Sequence, residues 1–132
     1  MFTNVIKSFV CFLTLSLFSV NCFSQAKSAV FDITYKQIDS LRLGLKLYYP
    51  ASFQIDKTYP TIVFFFGGGW NGGTTKQFEP HALHYVAKDF IAVLVDYRVK
   101  TRHNTTPFES LKDAKSAIRY LRKYAQKLRI DA

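Results

Sequence analysis

Two short runs of this sequence are apolar at almost every position, and they constrain the fold more than any other feature. They are Thr61 to Phe66 (TIVFFF) and Ile91 to Val95 (IAVLV). Successive residues of a strand point to opposite faces, so runs of this kind are apolar on both. Such strands belong in the middle of a sheet covered by helices, and that sheet is usually parallel. Between the runs, Glu79 to Lys88 has the length of a helix, with Leu83, Val86 and Ala87 able to point inward. Strand, glycine-rich loop, helix and strand make a βαβ unit, expected with a right-handed crossover. The expected class is α/β.

The preceding segment has a different period. Leu41, Leu43, Leu45, Leu47 and Tyr49 alternate with Arg42, Gly44, Lys46 and Tyr48. Phe31, Ile33 and Tyr35 alternate with Asp32, Thr34 and Lys36, and Asp39-Ser40 between the two is turn chemistry. Residues 31–49 are therefore expected as an antiparallel hairpin at a sheet edge. Pro50 to Pro60 reads as a polar connection.

The last element reads as the clearest helix. Thr106 suits the N-cap, Pro107 the first helical position, and Glu109 completes a capping box. Phe108, Leu111, Ala114, Ile118, Leu121, Ala125 and Leu128 recur at three- and four-residue steps and form one apolar stripe. Lys112, Lys115, Arg119, Arg122, Lys123 and Lys127 fill the remainder, and Lys127 and Arg129 suit the negative end of the helix dipole. A stripe of this kind needs a sheet, and a further buried strand is expected after it. The chain stops at Asp131-Ala132, so the expectation is an incomplete folding unit with a raw sheet edge.

The first residues do not read as domain sequence. Met1 to Lys7 is short and carries one positive charge, and Ser8 to Val20 is an uncharged, mostly apolar run of 13 residues. Cys22 and Ser24 suit the small positions of a cleavage site before Gln25. Residues 1–24 are expected to be a secretory signal peptide and residues 25–132 the domain portion. The apolar run is too short for a stable membrane span, which needs about 20 residues. A lipoprotein signal lipidated at Cys22 is the alternative. The expected location is secreted or periplasmic. Cleavage would remove both cysteines, Cys11 and Cys22, leaving 108 residues without a thiol and so without a disulfide or cysteine-based metal site. The net charge of +9 would become +8 with the loss of Lys7. Much of this charge lies on one helix face and reads as a solvated face. Nucleic-acid binding would rest on charge alone, and export argues against it.

Chemistry concentrates in Phe66-Gly67-Gly68-Gly69-Trp70-Asn71-Gly72-Gly73. Five of the six glycines in the chain fall within seven positions, directly after an apolar strand. Such a loop can expose consecutive backbone N–H groups, either as an anion nest or as an oxyanion hole. The glycine spacing fits neither a dinucleotide-binding loop nor a P-loop.

Strand, G-G-G-W, helix, and a strand ending in Asp96-Tyr97-Arg98 resemble the HGGG-type esterases and lipases of the α/β-hydrolase fold. The likeness is greatest to secreted carbohydrate esterases, which include acetyl-xylan and feruloyl esterases. LKLYYP, YPTIVFFFGGGW, DYR and PFESLKDAKSAIRYLRKYA with LRID carry it in order, over nearly all of Phe31 to Asp131. The resemblance implies the N-terminal part of an α/β-hydrolase: a hairpin leading into a parallel sheet with flanking helices. It implies that Gly68 and Gly69 supply oxyanion N–H groups, that Gly67 permits the turn, and that Trp70 walls the acyl side. Phe66 stands where the family usually has His, so packing must hold the loop there.

The nucleophile, acid and base of this fold would follow the last helix, and no serine here sits in G-x-S-x-G. Ser110 and Ser116 lie in the last helix, and Ser40 and Ser52 lie in turns. His103 is expected near the mouth of the site as a substrate contact. His81 and His84 read as packing or surface residues rather than a metal pair. Asp96 and Arg98 read as an ion pair or loop anchors, and Asp113 as a buried acceptor. The implied activity is that of a serine carboxylic-ester hydrolase acting on a small ester or an acylated carbohydrate, with no metal or organic cofactor. The 132 residues alone are expected to be inactive. The alternative is a truncated, non-catalytic product that binds polysaccharide or the cell envelope.

Overall fold

The computed structural model describes residues 28–132; the expected signal peptide and both cysteines lie outside the described residues. Strands β1 (Ala29–Ile38), β2 (Leu41–Tyr49), β3 (Thr61–Phe65) and β4 (Ile91–Val95) form one sheet in the order β1-β2-β4-β3. β1 and β2 make the expected antiparallel hairpin, turning at Asp39-Ser40 with Asp39 at φ 51°. Asp tolerates this left-handed backbone better than most side chains. The alternation of β2 puts Leu43, Leu45, Leu47 and Tyr49 inside. A register shift between Thr34 and Lys36 leaves Tyr35 outside the strand pairing, and its hydroxyl donates to the Asp96 carbonyl at 2.8 Å. β2 runs antiparallel to β4, and β3 runs parallel to β4. The sheet is therefore mixed, a hairpin joined to a parallel pair.

β3 forms the raw edge expected of an incomplete sheet, while β4 takes the central position. β4 is buried at all five residues, but every residue of β3 is partly exposed. β3 lies at the edge of the sheet, where its second side carries no strand among the described residues. A single parallel bridge, Tyr59 to Ile130, lies just before it. The pattern of apolarity on both faces is thus fully satisfied only in β4.

Helices cover both faces. α1 (Glu79–Val86), preceded by a 3-10 turn at Thr75–Phe78, covers one face. Its Ala82 and Val86 meet Tyr48, Ala92 and Leu94. Leu83 and Ala87 were expected inside, yet Leu83 is 53 % exposed and Ala87 is exposed. Ala82 and Ala92 have no exposure, so the helix sits close on the sheet through its smallest residues.

α3 (Pro107–Lys123) and α4 (Ala125–Leu128) cover the other face, where Ala117, Leu121 and Leu128 pack on Leu43, Leu45, Leu47, Val93 and Val95. Glu109 accepts from the Thr106 N–H at 2.9 Å, as the capping box requires. The inner face of α3 is Ser110, Asp113, Ala117 and Leu121, which corrects the expected stripe. Phe108 is 73 % and Leu111 52 % exposed, and Ala114, Ile118 and Ala125 are partly buried. The rotation follows from Asp113, which must face inward to meet two cations. The expected single helix also breaks at Tyr124, and Arg129 then ends α4 at φ 59°.

The connection from Pro50 to Pro60 is less polar in its packing than in its composition. Phe53 stands edge-on to Tyr49 at 4.8 Å and stacks on Tyr59 at 5.5 Å. Among the described residues, no helix is long and apolar enough to cross a membrane.

Candidate active site

The glycine loop leaves the end of β3 beside the end of β4. Phe66 is 2 % exposed, and its ring stacks on Tyr97 at 4.1 Å with planes 12° apart. The Tyr97 hydroxyl donates to the Phe66 carbonyl, and the Arg102 guanidinium lies 5.5 Å from the centre of the Phe66 ring. Packing thus holds the start of the loop. The Gly67 N–H donates to Gln77 Oε1 at 2.6 Å.

Gly68 at φ 138°, Gly69 at φ 60° and Trp70 at φ 60° then turn the backbone outward. The far side is closed by three backbone bonds: Asn71 N–H to Gly68 O at 3.0 Å, Lys100 N–H to Trp70 O at 3.0 Å, and Thr101 N–H to Asn71 O at 2.9 Å. The Thr101 hydroxyl donates to the same Asn71 carbonyl at 2.7 Å. The loop is therefore tied at both ends. Among the described residues, the Gly68 and Gly69 N–H groups donate to no partner. Two consecutive free donors on a fixed loop can accept an oxyanion without reorganising.

The charged residues near the loop anchor it. Asp96 and Arg98 do not pair with each other. Asp96 takes Arg102 at 2.7 Å, and Arg98 takes Asp113. Asp113 is fully buried and receives Arg98 Nε at 2.7 Å, Arg98 Nη2 at 3.0 Å, the Arg98 backbone N–H at 3.2 Å and Lys36 Nζ at 2.6 Å. Burial pushes its carboxyl up, but the hydrogen bonds from Arg98 and Lys36 outweigh that and hold it below the usual carboxylate value. The Ser110 hydroxyl donates to the Arg98 carbonyl at 2.6 Å and fixes the same turn.

The other candidates have local partners. His103 ends α2 (Lys100–His103), where its Nδ1 accepts the Val99 N–H at 3.1 Å. It is not among the residues lining the cleft described below. His81 packs edge-on to Phe78 at 5.3 Å, and His84 lies edge-on to Tyr85 at 5.5 Å. The Ser52 hydroxyl donates to Asp89, and the Ser116 hydroxyl donates to the Lys112 carbonyl at 2.8 Å.

A cleft of about 490 Å³ opens beside the loop, lined by Gly69, Trp70, Asn71, Lys100, Asn104 and the start of α3. Trp70 is 54 % exposed at its edge. The sequence pattern pointed to the glycines and Trp70 but not to Gln77, Tyr97 or Lys100. Tyr97 stood inside the Asp-Tyr-Arg motif without an assigned role. Gln77 and Lys100 carry no local signal, because their importance comes from the chain folding back on the loop.

A BD-FAE family model matches residues 45–132, two-thirds of the chain. Among solved structures, the chain is similar to Est2, a thermophilic esterase from the planctomycete Thermogutta terrifontis. The native form gives a TM-score of 0.75 at 39% identity, covering 77% of this chain and 36% of that one. The propionate-bound form gives 0.75 at 39% identity, covering 77% and 38%. The form phosphonylated by cyclosarin gives 0.74 at 39% identity, covering 78% and 39%. The chain thus spans little more than a third of the length of that esterase. A search of curated proteins finds no match. The chain therefore belongs to the BD-FAE family, and its mixed sheet with flanking helices has the α/β-hydrolase fold of an esterase over part of that domain.

Proposed function

We propose that these residues form the oxyanion side of a serine carboxylic-ester hydrolase. The observation that carries this reading is the pair of unpartnered N–H groups, Gly68 and Gly69, on a loop fixed by Gln77, Tyr97, Lys100 and Thr101. The match to an esterase that cyclosarin phosphonylates supports it. In this reading a serine attacks the ester carbonyl, and the negative charge that develops on its oxygen is taken by the two N–H groups. A general base takes the serine proton and returns it to the leaving alcohol. The nucleophile, acid and base come from polypeptide outside these residues. Gly67 sets the turn and Trp70 walls the substrate, with Phe66 replacing the usual His by stacking.

The substrate we favour is a small ester or an acylated carbohydrate, met outside the cytoplasm after cleavage of residues 1–24. The 132-residue chain alone should not turn over ester, because it holds no glycine-flanked serine. Hydrolysis of p-nitrophenyl acetate by the purified chain, above a heat-treated control, would contradict that. The reading for the gene is tested by sequencing past codon 132. It requires a G-x-S-x-G-like turn within a few tens of codons, and a frame without one ends it.

A further inference from the structure

We infer that the cleft beside the glycine loop selects a sugar acid, a pyranose ring on Trp70 with its carboxylate on Lys100. The inference rests on the esterase reading only for the statement that this ring is acylated; the ring and the carboxylate are argued from the cleft itself. The cleft, about 490 Å³, falls within the range of about 300–1,000 Å³ that holds ligands larger than a short acyl group. Gly69 lines it, so a ring seated there lies next to the ester of the proposed reaction. The Trp70 indole stands half out of the protein at the cleft edge. An exposed aromatic face beside polar groups suits a sugar, which has an apolar ring face and a rim of hydroxyls. The Asn71 and Asn104 amides supply neutral donors and acceptors for that rim.

Lys100 supplies the charge. It is the single charged residue lining the cleft, and it forms no ion pair among the described residues. Of the neighbouring acids, Asp96 is paired with Arg102, and Glu109 caps α3 through Thr106. The 3.0 Å bond from the Lys100 N–H to the Trp70 carbonyl fixes the ring platform and the cation side by side. A neutral ring would satisfy the indole and the amides but leave the Lys100 ammonium without a counter-charge. A carboxylate on the ring satisfies all of them.

Trp70 is the sole tryptophan of the chain, so its fluorescence reports on this cleft directly. The test is to titrate the 132-residue chain, at a concentration where light scattering shows it unassociated and thermal unfolding shows it folded, with galacturonate, galactose and acetate. Galacturonate should bind about threefold more tightly than galactose, the scale of one exposed ion pair. Acetate should give no saturable change, since it lacks the ring. Lys100→Gln should remove the preference, because the ammonium is lost while the backbone bond to Trp70 is kept. Salt at about 1 M, where screening acts within about 3 Å, should also erase the preference. Equal affinities, a preference that survives Lys100→Gln, saturation by acetate, or no saturable signal with either sugar would each overturn the inference. None of these readouts needs turnover. Sugar-acid preference without ester hydrolysis by the whole reading frame would end the esterase reading and leave the cleft assignment standing. Hydrolysis without the preference would do the reverse.

Discussion

Gly68 and Gly69 are adjacent, yet a methyl group would meet very different surroundings at each. At Gly68 it would fall inside contact with the Gly72 carbonyl, on a backbone at φ 138°. At Gly69, at φ 60°, it would meet nothing within 4 Å. Gly69→Ala should therefore cost only the left-handed backbone penalty, about 1–2 kcal/mol. Gly68→Ala should cost more and displace the loop. Urea unfolding gives the energies, and Trp70 emission reports the loop; equal effects of the two substitutions would contradict this geometry. Asp113 has a different kind of importance. Asp113→Ala should lose about 3–5 kcal/mol, because it leaves Arg98 and Lys36 uncompensated around a buried site. The Asp113 carboxyl titrates below its unfolded value of about 4. Its stabilisation is whole above that pH and disappears as pH falls through the lower native value. Urea midpoints taken downward from pH 5 should fall in the wild type and fall less steeply in Asp113→Ala.

The elements show which sequence signals were legible. Thr106, Pro107 and Glu109 marked the start of α3 correctly, since capping is a local matter between residues three apart. Thr106→Ala should cost about 1 kcal/mol by thermal unfolding. The hairpin and the parallel pair were legible for the same local reason, through their periods. The phase of α3 was not. Phe108 and Leu111 looked like core by spacing, but Asp113 and Ser110 take the inner face because Arg98 and Lys36 arrive there from other elements. Polar contacts between residues distant in sequence leave no periodic trace. The same holds for the site: the glycines were visible as a cluster, whereas Gln77, ten residues beyond Gly67, became visible only when the 3-10 turn folded back. Gln77→Ala should cost about 1 kcal/mol and speed hydrogen exchange at the Gly67 amide. Unchanged exchange there would remove Gln77 from the loop support.

The whole molecule combines a buried sheet centre with exposed apolar surface. The partly exposed strand β3, with Phe108 and Leu111 on α3, offers exposed apolar side chains and a strand edge that is unpaired among the described residues. Surfaces of this kind associate. The 132-residue chain is expected to self-associate as its concentration rises. The double substitution Phe108→Glu, Leu111→Lys should reduce light scattering while changing stability by less than about 0.5 kcal/mol at each site. Unchanged scattering would contradict this assignment of the associating surface. The same loop, sheet and cleft give the molecule its proposed chemistry. The most direct test of that claim is p-nitrophenyl acetate hydrolysis by the protein of the whole reading frame containing these residues, beside its Gly68→Ala variant with folding checked by thermal unfolding. A working esterase is expected, with a kcat that falls by about 10²–10³ when the oxyanion donors are displaced. No hydrolysis by the parent protein, or a folded variant with undiminished kcat, would contradict it.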